Sequence, residues 1–371
     1  MSDKRRSRRA KDARRNVRRA MKRTDNTAVE TTLTDIVGSA LDGHPCRMLT
    51  LASYMIDRSK PDGLRLIRSG GRESGSLDRV LTGLIATRER ATTALLAVIA
   101  ELLVDDPELQ IRCREELARR HDDLPRWISA LPQIDIYRAV RRSHVLGDID
   151  ELMIGIRLGV RHELTAVIHI DHDEASWIVD AGLLPKAIDE VLAPLAEFAD
   201  FDVVEASLAD VRMWTESGLR GPIFARETEC WPMYRPLVQW LMTHLPAAGG
   251  RSRKLDFDSP EDVCDRFFAT ESASRFANPD YRHLLLTLAE TGSGDPLRWT
   301  AKRVENAIYQ PLYDHDLSVA AALDVPDLLR AFIRFTHAQS GIRDELTSQT
   351  LAVLDEFQSR RKQQWDLDDV S

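Results

Sequence analysis

Apolar residues recur at three-and-four spacing over most of this chain and at alternate positions over one central stretch. Leu33, Ile36, Val37, Ala40 and Leu41 form a helical stripe that Gly43 ends, and Met48, Leu49, Ala52, Tyr54, Met55 and Ile56 form a second apolar side after Pro45. Further helices are predicted over 77–86, 88–103 and 107–120, the last with Pro107 in its first turn. Around Pro132 the period changes from helical to two. Ile134, Ile136 and Arg138, then Leu152, Ile154, Ile156 and Leu158, then Leu164, Ala166, Ile168 and Ile170 each alternate with other residues, the signature of an antiparallel meander with one buried face. Gly147-Asp148 and the stretch Gly159 to His162 supply turns, and Asp171 to Ser176 turns the chain into a fourth strand over 177–180. A helix over 186–198 is expected to cover the sheet's apolar face, and 201–205 reads as one more strand. Beyond it the pattern is helical again over 208–216, 231–245, 260–269, 280–291, 300–308, 326–338 and 342–365.

The predicted fold class is therefore α+β and predominantly helical, a central antiparallel β-meander with helical regions on either side. Four parts follow: a disordered arginine-rich arm over 1–24, an N-terminal helical region over 25–131, the meander with its covering helix over 132–205, and a C-terminal helical region over 206–371. The glycine-rich, basic stretch AAGGRSRK at 247–254 is a candidate boundary inside the last part. RSGGRESGS at 68–76 reads as a connecting loop; it lacks the order of a P-loop, and no strand pattern leads into it.

Charge changes this picture. The net charge of −8 conceals two opposed parts, because residues 1–24 hold twelve Lys or Arg against Asp3 and Asp12, leaving 39 basic and 57 acidic residues for the rest. The arm carries +10 and the body −18. With almost no large apolar side chain, the arm cannot offset its ordering entropy when free. Ala10, Ala13, Val17, Ala20 and Met21 would nevertheless share one side of a helix once phosphates neutralise the arginines. Arg5, Arg6, Arg8, Arg9, Arg14, Arg15, Arg18, Arg19, Lys22 and Arg23 are the candidate nucleic-acid-binding residues. The alternative is a solubilising tail, or one that folds onto the acidic body.

Several functions are excluded or left without support. No apolar run is long enough to span a membrane, and the basic start has no apolar stretch behind it, so a cytoplasmic protein without a secretory signal is expected. Cys46, Cys113, Cys230 and Cys264 show no C-x-x-C spacing and are expected to be buried, reduced thiols. No G-x-S-x-G elbow or dinucleotide fingerprint occurs, so no catalytic residue and no cofactor is assigned. Trp214, Trp231, Trp240 and Trp299 sit in helical patterns and read as core or interface anchors.

The densest group of potential ligands is His169, Asp171, His172, Asp173 and Glu174. Imidazole and carboxylate are the ligands a zinc, manganese or iron site uses, and His169 and Asp171 project to one face of a strand. His172 points the other way unless the turn has begun, and a third ligand would come from His144, His162 or Glu163. The metal candidates are thus His169, Asp171 and His172, set against an ordinary solvated sheet face meeting an acidic turn.

The phrases AVIHIDHDEASWIVDAGLLP, GDPLRWTAKRVENAI, PDLLRAFIRF and PCRMLTLAS resemble a set of uncharacterised actinobacterial proteins of mixed helix and meander architecture. In those, an apolar strand, Asp-His, a glycine-containing turn and a second strand ending Asp-Ala follow one another. Asp171, His172, Asp180 and Ala181 match, whereas Asp173-Glu174-Ala175-Ser176 replace the glycine turn. The resemblance implies a bacterial origin and the same domain plan, and it transfers no chemistry.

The leading expectation is a non-enzymatic interaction protein whose arm contacts RNA, ribosome or DNA phosphates while the acidic body binds protein. A metal-dependent enzyme using His169, Asp171 and His172 is one alternative, and a purely structural protein-binding module is another.

Overall fold

The computed structural model describes residues 33–59, 77–173, 176–220, 230–247, 250, 257–309 and 323–368. The basic arm over 1–24, the 68–76 loop and most of 247–254 lie outside the described residues.

Three ten-residue strands pair antiparallel as β1 (Asp135–His144), β2 (Ile149–Leu158) and β3 (His162–Asp171), with a register shift in β1 between Ile136 and Arg138 that breaks its alternation. Gly147 and Gly159 make their turns with φ of +71° and +61°, left-handed values that glycine adopts without a steric penalty. β4 (Trp177–Leu184) continues the meander and runs four residues beyond the predicted strand. The predicted final strand is β5 (Phe201–Glu205), which returns to pair with β1, giving the order β4-β3-β2-β1-β5 with every pairing antiparallel.

Both faces of this sheet are covered, unequally. Leu152, Ile154, Ile156, Leu164, Ala166, Ile168, Ile170 and Ile178 face the larger core, shared with α1 (Leu33–Asp42), α2 (Pro45–Ser59), α3 (Leu77–Ala86) and α4 (Arg90–Leu102). α5 (Pro107–Leu117) and the short α6 (Arg126–Ser129) complete the N-terminal side, and α8 (Leu208–Leu219) and α9 (Trp231–Thr243) pack on β4 from the C-terminal side. The segment expected as a covering helix over 186–198 is only one turn of α-helix, α7 (Ile188–Leu192), followed by 3₁₀ turns. Contrary to expectation, it covers the minor face. There Ile188 and Val191 meet Val140 and Met153, a patch small enough for five helical residues to close. The larger apolar face needs the breadth of several helices.

α9 contains Pro236, which removes a backbone donor and crowds the preceding turn. Ser53 of α2 answers this locally. Its hydroxyl donates to Met233 O at 2.6 Å and accepts from Leu237 N at 3.2 Å, so it occupies the opened step of the helical ladder.

A second core is built from α10 (Pro260–Phe268), α11 (Pro279–Ala289), α12 (Ala301–Tyr309), α13 (Val325–Gln339) and α14 (Asp344–Asp368). Phe267, Trp299 and Phe332 lie at its centre, with the Phe332 ring 5.2 Å from Phe267 and 6.0 Å from Trp299 in edge-to-face contact. The first core extends as far as Leu245 and the second begins at Val263. The two meet at one end of the sheet, where Leu146 in the β1–β2 turn packs on Ile342 and Leu346, and Arg343 reaches Asp200 at 2.5 Å.

Three tryptophans, Trp231, Trp240 and Trp299, are core residues, and Trp214 is half-buried with Arg141 over its ring at 5.3 Å. Cys46, Cys113 and Cys264 are buried, and burial pushes their thiols up to about 12, 11 and 11 respectively, which leaves them unreactive. Cys230 departs from the expectation and is exposed, because it precedes α9 and its side chain lies outside the core. Among the described residues no helix is long and apolar enough to cross a membrane.

Candidate functional site

Strand alternation sends the central acidic and histidine residues to three different destinations. His169 and Asp171 share the minor face with Val167, as the period requires. They do not converge on a common point. His169 Nδ1 lies 3.8 Å from Glu151 on β2, and Glu151 is held at 2.5 Å by the buried guanidinium of Arg142, which stacks 3.7 Å over Phe201. Asp171 accepts from Lys302 Nζ at 2.7 Å and from the Asp173 backbone N–H at 2.9 Å.

His172 has already entered the turn, and its backbone N–H donates to Asp148 O at 2.7 Å. Its ring lies on the opposite side from Asp171 and is buried. Nε2 sits 3.0 Å from Asp150 Oδ2 in ion-pair contact without hydrogen-bond alignment, and Nδ1 is 2.9 Å from Ser176 Oγ. Asp150 is itself buried, and its other oxygen accepts from Ser143 Oγ at 2.6 Å. Ser176 is the one non-glycine among the described residues with a left-handed backbone, at φ +64°.

Asp173 points into the C-terminal helices. Its Oδ2 accepts from Thr300 Oγ1 at 2.6 Å, while the same hydroxyl accepts from Arg303 N at 2.9 Å and so caps α12. Arg303 is fully buried, with its guanidinium 4.1 Å from the Trp299 ring centre and donating to the carbonyls of Ala289, Asp295 and Arg298. Asp173 Oδ1 and Arg303 Nε have no hydrogen-bond partner among the described residues. Gly292, at φ +62°, lets the chain pass between them, since a Cβ there would stand 3.0 Å from Asp173 Oδ1 and from Arg303 Cγ and Cδ. Burial pushes the Asp173 carboxyl above the usual aspartate range; the Thr300 bond opposes this, and the nearby Asp148 and Asp171 charges add to it. Burial likewise lowers Arg303 to about 10 against the pull of Asp173 and Asp295, and it raises the Asp295 carboxyl.

The five residues read as one ligand cluster therefore divide. His169 joins Arg142 and Glu151, Asp171 and Asp173 join the α12 end, His172 joins Asp150, and Glu174 lies outside the described residues. Of the proposed third ligands, His144 is held 2.6 Å from Asp148, and the His162 ring packs edge-on against His44 with centroids 5.5 Å apart. Among the described residues no group of three or more His, Cys, Asp or Glu side chains is gathered to hold a metal ion. The residues that organise the site, Asp150, Ser176, Thr300, Lys302 and Arg303, were not singled out from sequence. Their one local signal is Thr300 at the start of the helix predicted over 300–308, which the structure begins one residue later with Thr300 as its cap.

No family profile, curated protein or solved structure matches this chain.

Proposed function

We propose that this protein binds nucleic-acid phosphates, of RNA, ribosome or DNA, through the basic residues of 1–24, and that its acidic body engages protein. The observation that carries this reading is the partition of charge, +10 on the arm against −18 on the remainder. The body supports it by the way its own cations are committed. Arg138, Arg157, Arg266, Arg282, Arg330 and Arg343 each lie in ion-pair contact with a carboxylate. An arginine so engaged is a weaker partner for phosphate, which favours the arm as the polyanion contact.

For the body, the supporting feature is the sheet's β5 edge. Val203 and Val204 are each 51 % exposed there, and the nearby Phe198 is 58 % exposed. A short edge strand with outward apolar side chains is the kind of surface to which another chain adds a strand.

Binding of generic single-stranded RNA and duplex DNA to the full chain and to a chain lacking residues 1–24 tests the proposal. Micromolar binding by the full chain that disappears on truncation is the expected result. Equal binding by both removes the arm from the account.

A further inference from the structure

The turn between β3 and β4 contains a nucleophile, a base and an orienting carboxylate in hydrogen-bonding or ion-pair sequence. Ser176 Oγ is 2.9 Å from His172 Nδ1, and His172 Nε2 is 3.0 Å from Asp150 Oδ2. In the tautomer with the proton on Nε2, toward the Asp150 carboxylate, Nδ1 turns its lone pair on the Ser176 hydroxyl. Asp150 is held in turn by the Ser143 hydroxyl, and the His172 backbone by Asp148 O. His172 and Asp150 are buried, whereas Ser176 is half-buried and reachable from solvent.

Two further features separate this group from an ordinary polar turn. Ser176 alone among the described non-glycine residues holds a left-handed backbone, and strain of this kind persists where the surroundings fix a side chain in place. Behind it, Gly218 of α8 passes so close that a Cβ would stand 3.3 Å from Ser176 O and 2.8 Å from Ile178 Cγ1. The serine is thus braced from the helix side. Nucleophile, base and third group in mutual reach is the arrangement that activates a hydroxyl for covalent catalysis.

We propose that Ser176 is a nucleophile activated by His172 and oriented through Asp150, acting on small acyl esters. Ser176 Oγ bonds to the ester carbonyl carbon and passes its proton to His172 Nδ1. The bond from that carbon to the leaving oxygen breaks, and His172 returns the proton to the departing alcohol. Water then adds to the acyl carbon, giving its proton to His172; the bond from that carbon to Ser176 Oγ breaks, His172 returns the proton to Oγ, and the carboxylic acid leaves. The substrate class follows from the charge of the turn. Asp148 and Asp150 at the start of β2 and Asp171 and Asp173 at the end of β3 make this end of the sheet acidic, with Lys302 paired to Asp171 and Arg303 buried, so a neutral acyl group is favoured over a phosphate or a carboxylate. The missing alignment between Nε2 and Asp150 is of the kind that tightens when a substrate is bound. The inference rests on residues 143–218 and not on the arm, so either proposal can fail alone. It also departs from the expectation of a non-enzymatic protein.

The test uses the full chain and an alkyl fluorophosphonate, a neutral probe that replaces its fluoride with an activated serine oxygen. Mass spectrometry is expected to place the label on Ser176, with p-nitrophenyl acetate hydrolysis lost in Ser176→Gly, a change that suits the left-handed backbone. His172→Gln is expected to slow labelling by about 100-fold or more. A second variant leaves the histidine in place. In Ser176→Cys, iodoacetamide should alkylate the introduced thiol with a pH midpoint well below the ordinary cysteine value of about 8.5, with exposed Cys230 as internal control. Absence of label on Ser176, labelling indifferent to His172, or an ordinary midpoint for the introduced thiol overturns the proposal.

Discussion

Thr300 donates its hydroxyl to the buried carboxylate of Asp173 at 2.6 Å, joining residues 127 positions apart in the chain. The same oxygen caps α12 by accepting from Arg303 N, so one hydroxyl both starts a helix and fastens it to the sheet's β3–β4 turn. Thr300→Val keeps the shape and removes both bonds. A lost cap costs ~1 kcal/mol and a buried carboxylate deprived of a donor ~1–3 kcal/mol, so a combined loss of about 2–4 kcal/mol is expected in urea unfolding. Thr300→Ser, which retains the hydroxyl, should cost less than about 1.5 kcal/mol. Similar losses for the two variants would show that the hydroxyl is not what matters.

His337 gives the protein an acid-sensitive element. Its Nε2 accepts from Trp299 N at 3.2 Å, so the ring is neutral with its proton on Nδ1, 3.0 Å from Thr347 Oγ1. Burial lowers its pKa to about 4, against an unfolded value near 6.5. The folded state therefore takes up this proton later than the unfolded state as pH falls. The stability it contributes is present above about pH 6.5 and is lost progressively as pH falls towards about 4, roughly 3 kcal/mol in all. His337→Gln, which can still accept from Trp299 N, should flatten the stability profile across that window. An unchanged profile would assign the acid sensitivity elsewhere.

Asp173 acts with the opposite sign. Because its folded pKa is raised, the unfolded chain releases this proton first, and the carboxyl's contribution is full below the ordinary aspartate value and declines as pH rises through the folded one. The stability difference between wild type and Asp173→Asn, followed by urea midpoints from pH 3.5 upwards, should move against the wild type with rising pH. A difference that is constant, or that moves the other way, contradicts this.

Ser53 is predicted to be a stability residue at Pro236. Ser53→Ala withdraws the hydroxyl from Met233 O and Leu237 N, both on the buried side of α9, at a cost of about 1–3 kcal/mol measured by denaturant unfolding. Loss below a few tenths of a kcal/mol would mean that α9 closes the gap by itself.

What local pattern carries, the sequence displayed. Alternation over 152–158 and 164–170 located β2 and β3, and Gly147 and Gly159 marked turns that adopt positive φ. The helices predicted from 260 and 280 begin at Pro260 and Pro279, where Ser259 and Asn278 cap α10 and α11. The short α6 and the 3₁₀ segment Glu271–Phe276 went unread because so few residues establish no period. The candidate site was misjudged for a related reason. Periodicity says which face His169 and Asp171 share, but not that Lys302 and Thr300, some 130 residues later, arrive beside Asp171 and Asp173. An arginine in a helix reads as solvated, and only the tertiary arrangement of three carbonyls and a Trp299 ring makes Arg303 a core residue. Asp150 lies on β2 and Ser176 in the β3–β4 turn, and they carry no joint spacing by which they would be found.

The central claim, that the arm engages nucleic-acid phosphates, is tested most directly by the salt dependence of binding. Each phosphate contact on duplex DNA contributes about −0.9 to the slope of log K against log salt, through counterion release. Replacing Arg14, Arg15, Arg18 and Arg19 with glutamine should therefore make the slope shallower by about 3 to 4 and weaken binding to all sequences alike. An unchanged slope in that variant, or a full chain that binds neither RNA nor DNA at low salt, would contradict the account.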